Sequence, residues 1–232
     1  LTYVLQDYLN IYQRFPAHNT WKKSERKERH RMLTEWQNCH YSQMPDVEEI
    51  RSFIKCNPDL VYERPFFLKV LVPCIYADLE NNSIDAIRFM FEKNNDRNIG
   101  TTSDFVEIFC EASNWTYTPF DVAAFILNKE PNNKTVLYYK YVLMSRIIGF
   151  TIHEVPCGIL NGMNGAEKSA IPKMLENLNE FEQVCSVLGE NQKAFIDLCR
   201  RLYVAWDKYL DNKSSYNNFM DYLDKHHICY KE

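Results

Sequence analysis

Phe195-Ile196-Asp197-Leu198-Cys199-Arg200-Arg201-Leu202-Tyr203-Val204-Ala205-Trp206-Asp207-Lys208-Tyr209-Leu210 is the stretch whose reading decides the fold class. Phe195, Leu198, Cys199, Leu202, Trp206, Tyr209 and Leu210 recur at intervals of three and four, which lines them along one face of an α-helix. This is the cleanest amphipathic stripe in the chain. The same period extends outward in both directions. Met174 to Leu188 predicts a helix before it, and Phe219, Met220 and Leu223 predict a short one after it. Further upstream, Val136 to Ile148 is apolar on most faces and reads as a central helix.

The first half repeats the pattern. Leu5, Tyr8, Leu9 and Tyr12 fall at i, i+3, i+4 and i+7, and Pro16 ends that helix. Lys22 to Gln37 has helix-forming composition, with Met32, Leu33 and Trp36 as its apolar edge. Asp46, with Glu49 three residues on, reads as the cap of a helix carrying Val47, Ile50 and Ile54. Phe66 to Val72, between Pro65 and Pro73, is either a buried helix kinked by Pro73 or a short strand; the helix is preferred because Cys74, Ile75 and Leu79 continue the period. Ser83 caps a helix with Ile84, Ile87, Met90 and Phe91, and Phe105, Ile108, Phe109 and Ala112 mark another. Thr118-Pro119-Phe120-Asp121 combines a cap, a proline at the first helical position and an acid at the third. The sum is an all-α chain of about ten helices with short connections, in one compact, irregular helical-repeat-like array. Four of the 6 Gly lie between Gly149 and Gly165 with Pro156 among them, so 156–165 is the candidate hinge within a single domain over 1–232.

Composition agrees. Hydrophobic residues make up 46% and charged residues 25%, the balance of a folded chain. So few glycines suit neither sandwiches nor nucleotide-binding folds. The 8 Cys are scattered without a CxxC pair and read as small hydrophobes, reduced in a cytoplasmic protein. No run approaches the roughly 20 apolar residues of a membrane span, and the amphipathic start is unlike a signal peptide.

Thr118-Pro119-Phe120-Asp121-Val122-Ala123-Ala124 resembles the opening of an ankyrin repeat, Thr-Pro-Leu-His-x-Ala. Ser83 to Asn94 is similar to that repeat's second helix, and Asn57-Pro58-Asp59-Leu60 to the preceding turn. Asp121 stands where the family has His, and no period of about 33 residues recurs. The resemblance therefore implies stacked helices and a binding role, on an irregular array.

Several constellations point toward chemistry. Gly162 to Ser169 approximates the phosphate-binding G-x-x-x-x-G-K-S, but Glu167 occupies the second glycine position, where a carboxylate would repel phosphate; a Gly-rich loop entering a helix after Ala170 is expected. His226, His227, Cys229 and Cys39-His40 lack zinc spacing, so no metal or cofactor is assigned. No catalytic residue is assigned either, and an enzyme with a helical cleft is the last of three functional readings. Net charge is −4, yet Lys22 to Arg31 carries six Lys or Arg against two Glu. Glu25 and Glu28 interrupt it, which predicts a solvated charged helix more than a nucleic-acid grip.

The strongest charge feature is the stretch from Asn98 to Asn128, which has no Lys or Arg but contains Asp104, Glu107, Glu111 and Asp121. Asp104, Glu107 and Glu111 share one helical face. With Trp115 and Tyr117 in the turn that follows, they form an expected partner-binding surface for a protein with a basic face. Small acidic helical proteins of this type are similar to bacterial immunity proteins. That likeness implies an inhibitor occluding the cationic active site of a toxin nuclease, and the alternative is an adaptor or effector that binds a cellular protein.

Overall fold

The computed structural model describes residues 1–15, 22–94 and 105–230. The chain is all-α: twelve α-helical segments occur among the described residues, and the strands found are two residues long. It divides into two units, Leu1–Pro131 and Asn132–Glu232. The division falls away from the 156–165 interval expected from the glycines, which lies inside the second unit.

The first unit holds α1 (Tyr3–Arg14), α2 (Lys23–Asn38), α3 (Val47–Cys56), α4 (Arg64–Phe66), α5 (Val72–Glu80), α6 (Asp85–Asn94), α7 (Phe105–Ala112) and α8 (Pro119–Leu127). Its aromatic centre is Tyr8, fully buried, with ring centroids of Tyr12, Trp36 and Phe66 at 5.2, 5.0 and 4.7 Å. Tyr8 donates its hydroxyl to the Val61 carbonyl at 2.8 Å, and Trp36 donates its indole N–H to the Val4 carbonyl at 2.9 Å. Both polar tips are thereby satisfied inside the core.

Phe66 to Val72 is helical, with a π turn over Phe67–Leu71 joining α4 to α5. Pro73 explains the irregularity. It has no N–H to offer the Lys69 carbonyl, and its ring crowds that oxygen, so the turn before it widens. The expected caps are present. The Asp46 carboxylate accepts from the Glu49 amide at 2.8 Å, and Thr118 and Asp121 form a reciprocal box. At α6, Ser83 accepts from the Asp85 amide at 3.3 Å while Asp78 captures the Ala86 amide at 2.7 Å.

Helix α2 buries Leu33 and Trp36 on its apolar edge, and of its charged residues Arg29 is the buried one. That side chain is buried, bonded to Glu63 at 2.9 Å and to the Tyr12 hydroxyl at 3.0 Å. A guanidinium enters the core because a carboxylate from a distant loop meets it there.

The second unit holds α9 (Lys134–Thr151), α10 (Ile171–Leu188), α11 (Lys193–Asp211) and α12 (Phe219–Lys225). Helix α10 packs against α9 on one side and α11 on the other. Helix α11 buries Leu198, Cys199, Leu202, Trp206 and Tyr209, as its spacing predicts. Gly189, at φ +76°, ends α10 in the left-handed conformation, and the Glu190 amide reaches back to the Cys185 carbonyl at 2.9 Å. Three sequence expectations are corrected. Helix α9 is not buried all round, because Tyr138, Ile147 and Phe150 are exposed. Met220 of α12 and Ala112 of α7 face solvent. Of the cysteines, Cys110, Cys185 and Cys199 are buried, Cys74 is half-buried, and Cys39, Cys56, Cys157 and Cys229 are exposed; no disulfide joins any of them.

The glycine-rich interval is fastened to α11. The Trp206 indole donates to the Ala166 carbonyl at 2.7 Å, and a Cβ on Gly158 would stand 3.4 Å from the Trp206 ring. Leu160–Asn161 pairs antiparallel with Asn164–Gly165.

Candidate functional site

Helix α7 presents Glu107 and Glu111 on its solvent side, while Phe105, Val106, Ile108, Phe109 and Cys110 are buried. Asp104, the first acid of the expected stripe, lies outside the described residues. Glu107 is exposed. Glu111 is held by Arg64 at 2.6 Å, across a separation of 47 residues. The stripe has no base nearby in sequence but gains one in space, so its field is weaker than the sequence suggests. Both partners are well exposed, and such a pair contributes little to stability.

Asp121 does a different job. Its carboxylate accepts from the Thr118 amide at 2.8 Å and from the Thr118 hydroxyl at 2.7 Å, closing the N-terminus of α8. The Thr118 hydroxyl, followed by the Thr118 amide, holds this carboxyl below the ordinary Asp range. Asp121 therefore acts first as a cap, although it stays at the surface.

The turn between α7 and α8 carries the unusual geometry. Helix α7 ends with the Trp115 amide donating to the Cys110 carbonyl at 2.8 Å, and Asn114 is left-handed at φ +52°. Asparagine tolerates that conformation at a helix end. Trp115, the next residue, is also left-handed at φ +58°, which is rare for a bulky side chain. Its indole is 53% exposed. The Thr116 hydroxyl donates to the Ser113 carbonyl at 2.7 Å, and the Ser113 hydroxyl to the Cys110 carbonyl at 2.7 Å, so the turn is tied down on both sides.

Tyr117 is half-buried, stacked on Phe109 at 5.9 Å and edge-on to Phe125 at 5.4 Å. Phe109 in turn meets the partly exposed Tyr76 at 5.5 Å. Rings thus run from the core to the surface beside the turn. Tyr117 supports the turn, and Trp115 is what the turn displays. The positive φ of Trp115 could not have been read from sequence, where Asn114-Trp115-Thr116 resembles any polar loop.

The other constellations resolve into structure. Gly162, at φ +63°, is the first turn residue of the small hairpin, where that backbone twist calls for glycine. Lys168, the lysine of the near phosphate loop, pairs with Asp211 and stands 3.9 Å from Asp207. His226 Nε2 lies 2.9 Å from the Tyr216 hydroxyl. Cys74 lines a cavity of about 320 Å³ with Pro45, Asp46, Pro73 and Asp78. Burial, followed by Asp78 and Asp46, pushes its thiol up to about 12, which makes it a poor nucleophile. Among the described residues no cluster of His, Cys, Asp or Glu could hold a metal ion, and no helix is long and apolar enough to cross a membrane. Comparison with protein families, with curated proteins and with solved structures found no match.

Proposed function

We propose that this chain is a non-enzymatic protein-binding protein whose contact surface is the α7–α8 turn, with Trp115 as anchor and Glu107, Glu111 and Asp121 around it. The single observation that carries this reading is the conformation of Trp115. A tryptophan in the left-handed region costs about 1–2 kcal/mol relative to a relaxed backbone. The turn nevertheless leaves about half of the Trp115 side chain in solvent. An indole held outward beside a polar rim is what binding hot spots require. The surrounding carboxylates favour a partner with a basic face, and a nuclease active site of the kind toxins use is such a face.

The test is interferometry with the immobilised chain against a panel of purified basic nucleases and acidic control proteins. The expected result is binding to a basic member that weakens with salt. Trp115→Ala should weaken it about thirtyfold, the ratio that corresponds to a hot spot of about 2 kcal/mol, and Glu107→Gln should flatten the salt dependence. Binding that ignores both substitutions would place the interface elsewhere.

A further inference from the structure

The second unit carries a groove along α11 that has no part in the surface described above. Its volume is about 530 Å³. Along α11 its lining runs from Asp197 through Arg201 and Val204 to Lys208, positions spaced i, i+4, i+7 and i+11 and therefore on one stripe. That stripe is about 16 Å long at 1.5 Å per residue, so the groove is elongated. The opposite wall is Tyr222 of α12 together with His226 and Ile228 from the segment that follows. The Tyr222 and His226 rings lie 4.4 Å apart and form one continuous surface.

The floor is apolar, from Val204, Ala205, Tyr222 and Ile228, and Val204 is 40% exposed. The charge is arranged along the rim. At one end Asp197 is 3.7 Å from Arg200, which is itself bonded to Glu182 at 2.8 Å, so that end is internally compensated. Arg201 and Lys208 are different. Among the described residues no carboxylate pairs with either, and the Arg201 Nε donates to the Cys229 carbonyl at 3.1 Å. That bond orients the guanidinium and leaves its two terminal nitrogens for another acceptor. Two cations about 10 Å apart, with an apolar seat between them, exceed the reach of a single small anion.

We propose that this groove takes an acidic peptide segment of another protein, with one apolar side chain seated on Val204 and Tyr222 and carboxylates about two helical turns apart on Arg201 and Lys208. The apolar seat between the two cations argues for this occupant over a nucleic-acid strand, whose backbone would lay charged phosphates along the whole groove. Arg201 supplies the paired N–H donors that hold a carboxylate in a fixed orientation, and Lys208 supplies a compact charge.

Selection of a randomised displayed peptide library on the full chain tests this. Enriched peptides are expected to carry Asp or Glu pairs separated by about two turns around an apolar residue. A fluorescent copy should lose about tenfold in affinity when its acids are changed to amides, and a similar factor on Lys208→Gln. Because Arg201 also holds the C-terminal segment, Arg201→Gln is read beside a melting curve, and Lys208→Gln, which breaks no contact, decides the matter if that variant unfolds. Enrichment of peptides without acids, no enrichment at all, or affinity indifferent to Lys208→Gln would overturn the proposal. So would a single-stranded oligonucleotide that binds as tightly as the peptide and is weakened by the same substitution.

Discussion

Trp115→Ala and Trp115→Gly, made side by side, separate display from packing at the α7–α8 turn. Both variants delete the same indole, so its contacts cancel when the two are compared. What remains is the backbone at φ +58°. Alanine keeps the steric penalty of the left-handed region, about 1–2 kcal/mol, whereas glycine does not. Glycine in turn loses more chain entropy on folding, which costs about 0.4–1 kcal/mol. The difference leaves Trp115→Gly more stable than Trp115→Ala by about 0.5–1 kcal/mol, or about 1–4 °C in Tm for a chain of this size. In a helix the order is reversed, with glycine about 1 kcal/mol the worse of the two. The sign alone is therefore diagnostic. Urea and thermal melts of the two variants, followed by far-ultraviolet circular dichroism, give it directly. If Trp115→Ala equals or exceeds Trp115→Gly, the turn is not left-handed at this residue, and the argument that its strain is kept for binding fails.

Three further outcomes follow from the core and the thiols. Tyr8→Phe removes the bond to the Val61 carbonyl, so denaturant melts should show a loss of about 1–2 kcal/mol, and an unchanged midpoint would contradict that hydrogen bond. Burial, followed by Tyr12, raises the Tyr8 phenol, and burial, followed by Glu63, pushes Tyr12 up to about 12, against about 10 when unfolded. The fold favours the neutral phenols, so their contribution is complete below about pH 10 and is lost as pH rises toward 12; phenolate absorbance and unfolding should rise together there, and a urea midpoint that stays flat through that window would refute it. Maleimide should label Cys39, Cys56, Cys157 and Cys229 in the native protein, Cys74 slowly, and Cys110, Cys185 and Cys199 after denaturation; equal rates at all positions would contradict the burial pattern.

Local features of the fold were legible because their causes are local. The Thr118 box, the Asp46 cap and the stripe on α11 each need only a few residues of sequence to specify them, and each is present. The π turn was half legible: Pro73 announced a disturbance, but whether the chain kinks, breaks or widens depends on what packs around it. Two glycines of the cluster have local uses that the sequence alone does not name. Gly162 serves a hairpin and Gly158 a close approach to Trp206, and neither needs a domain boundary. Cysteine burial was over-read because Cys39, Cys157 and Cys229 lie outside the helices, while Cys56 sits at the exposed end of α3.

Charge was the least legible property, and the two surfaces show why in opposite directions. Asn98 to Asn128 has no basic residue, yet folding delivers Arg64 to Glu111 from 47 positions away, so a gap in sequence is not a gap in space. On α11 the sequence interleaves Asp197, Arg200, Arg201, Asp207, Lys208 and Asp211, which looks like a neutral, solvated helix. The helical period then sorts them. Asp207 and Asp211 turn toward Lys168, and Asp197 toward Arg200. Arg201 and Lys208 remain on the face that borders the groove. A cationic site thus emerges from the stretch Asp197 to Asp211, which has three acids and three bases, because pairing within the unit occupies each of those acids. An acidic partner that reads this face responds to the geometry of the helix, and the net charge of the segment would not have disclosed it.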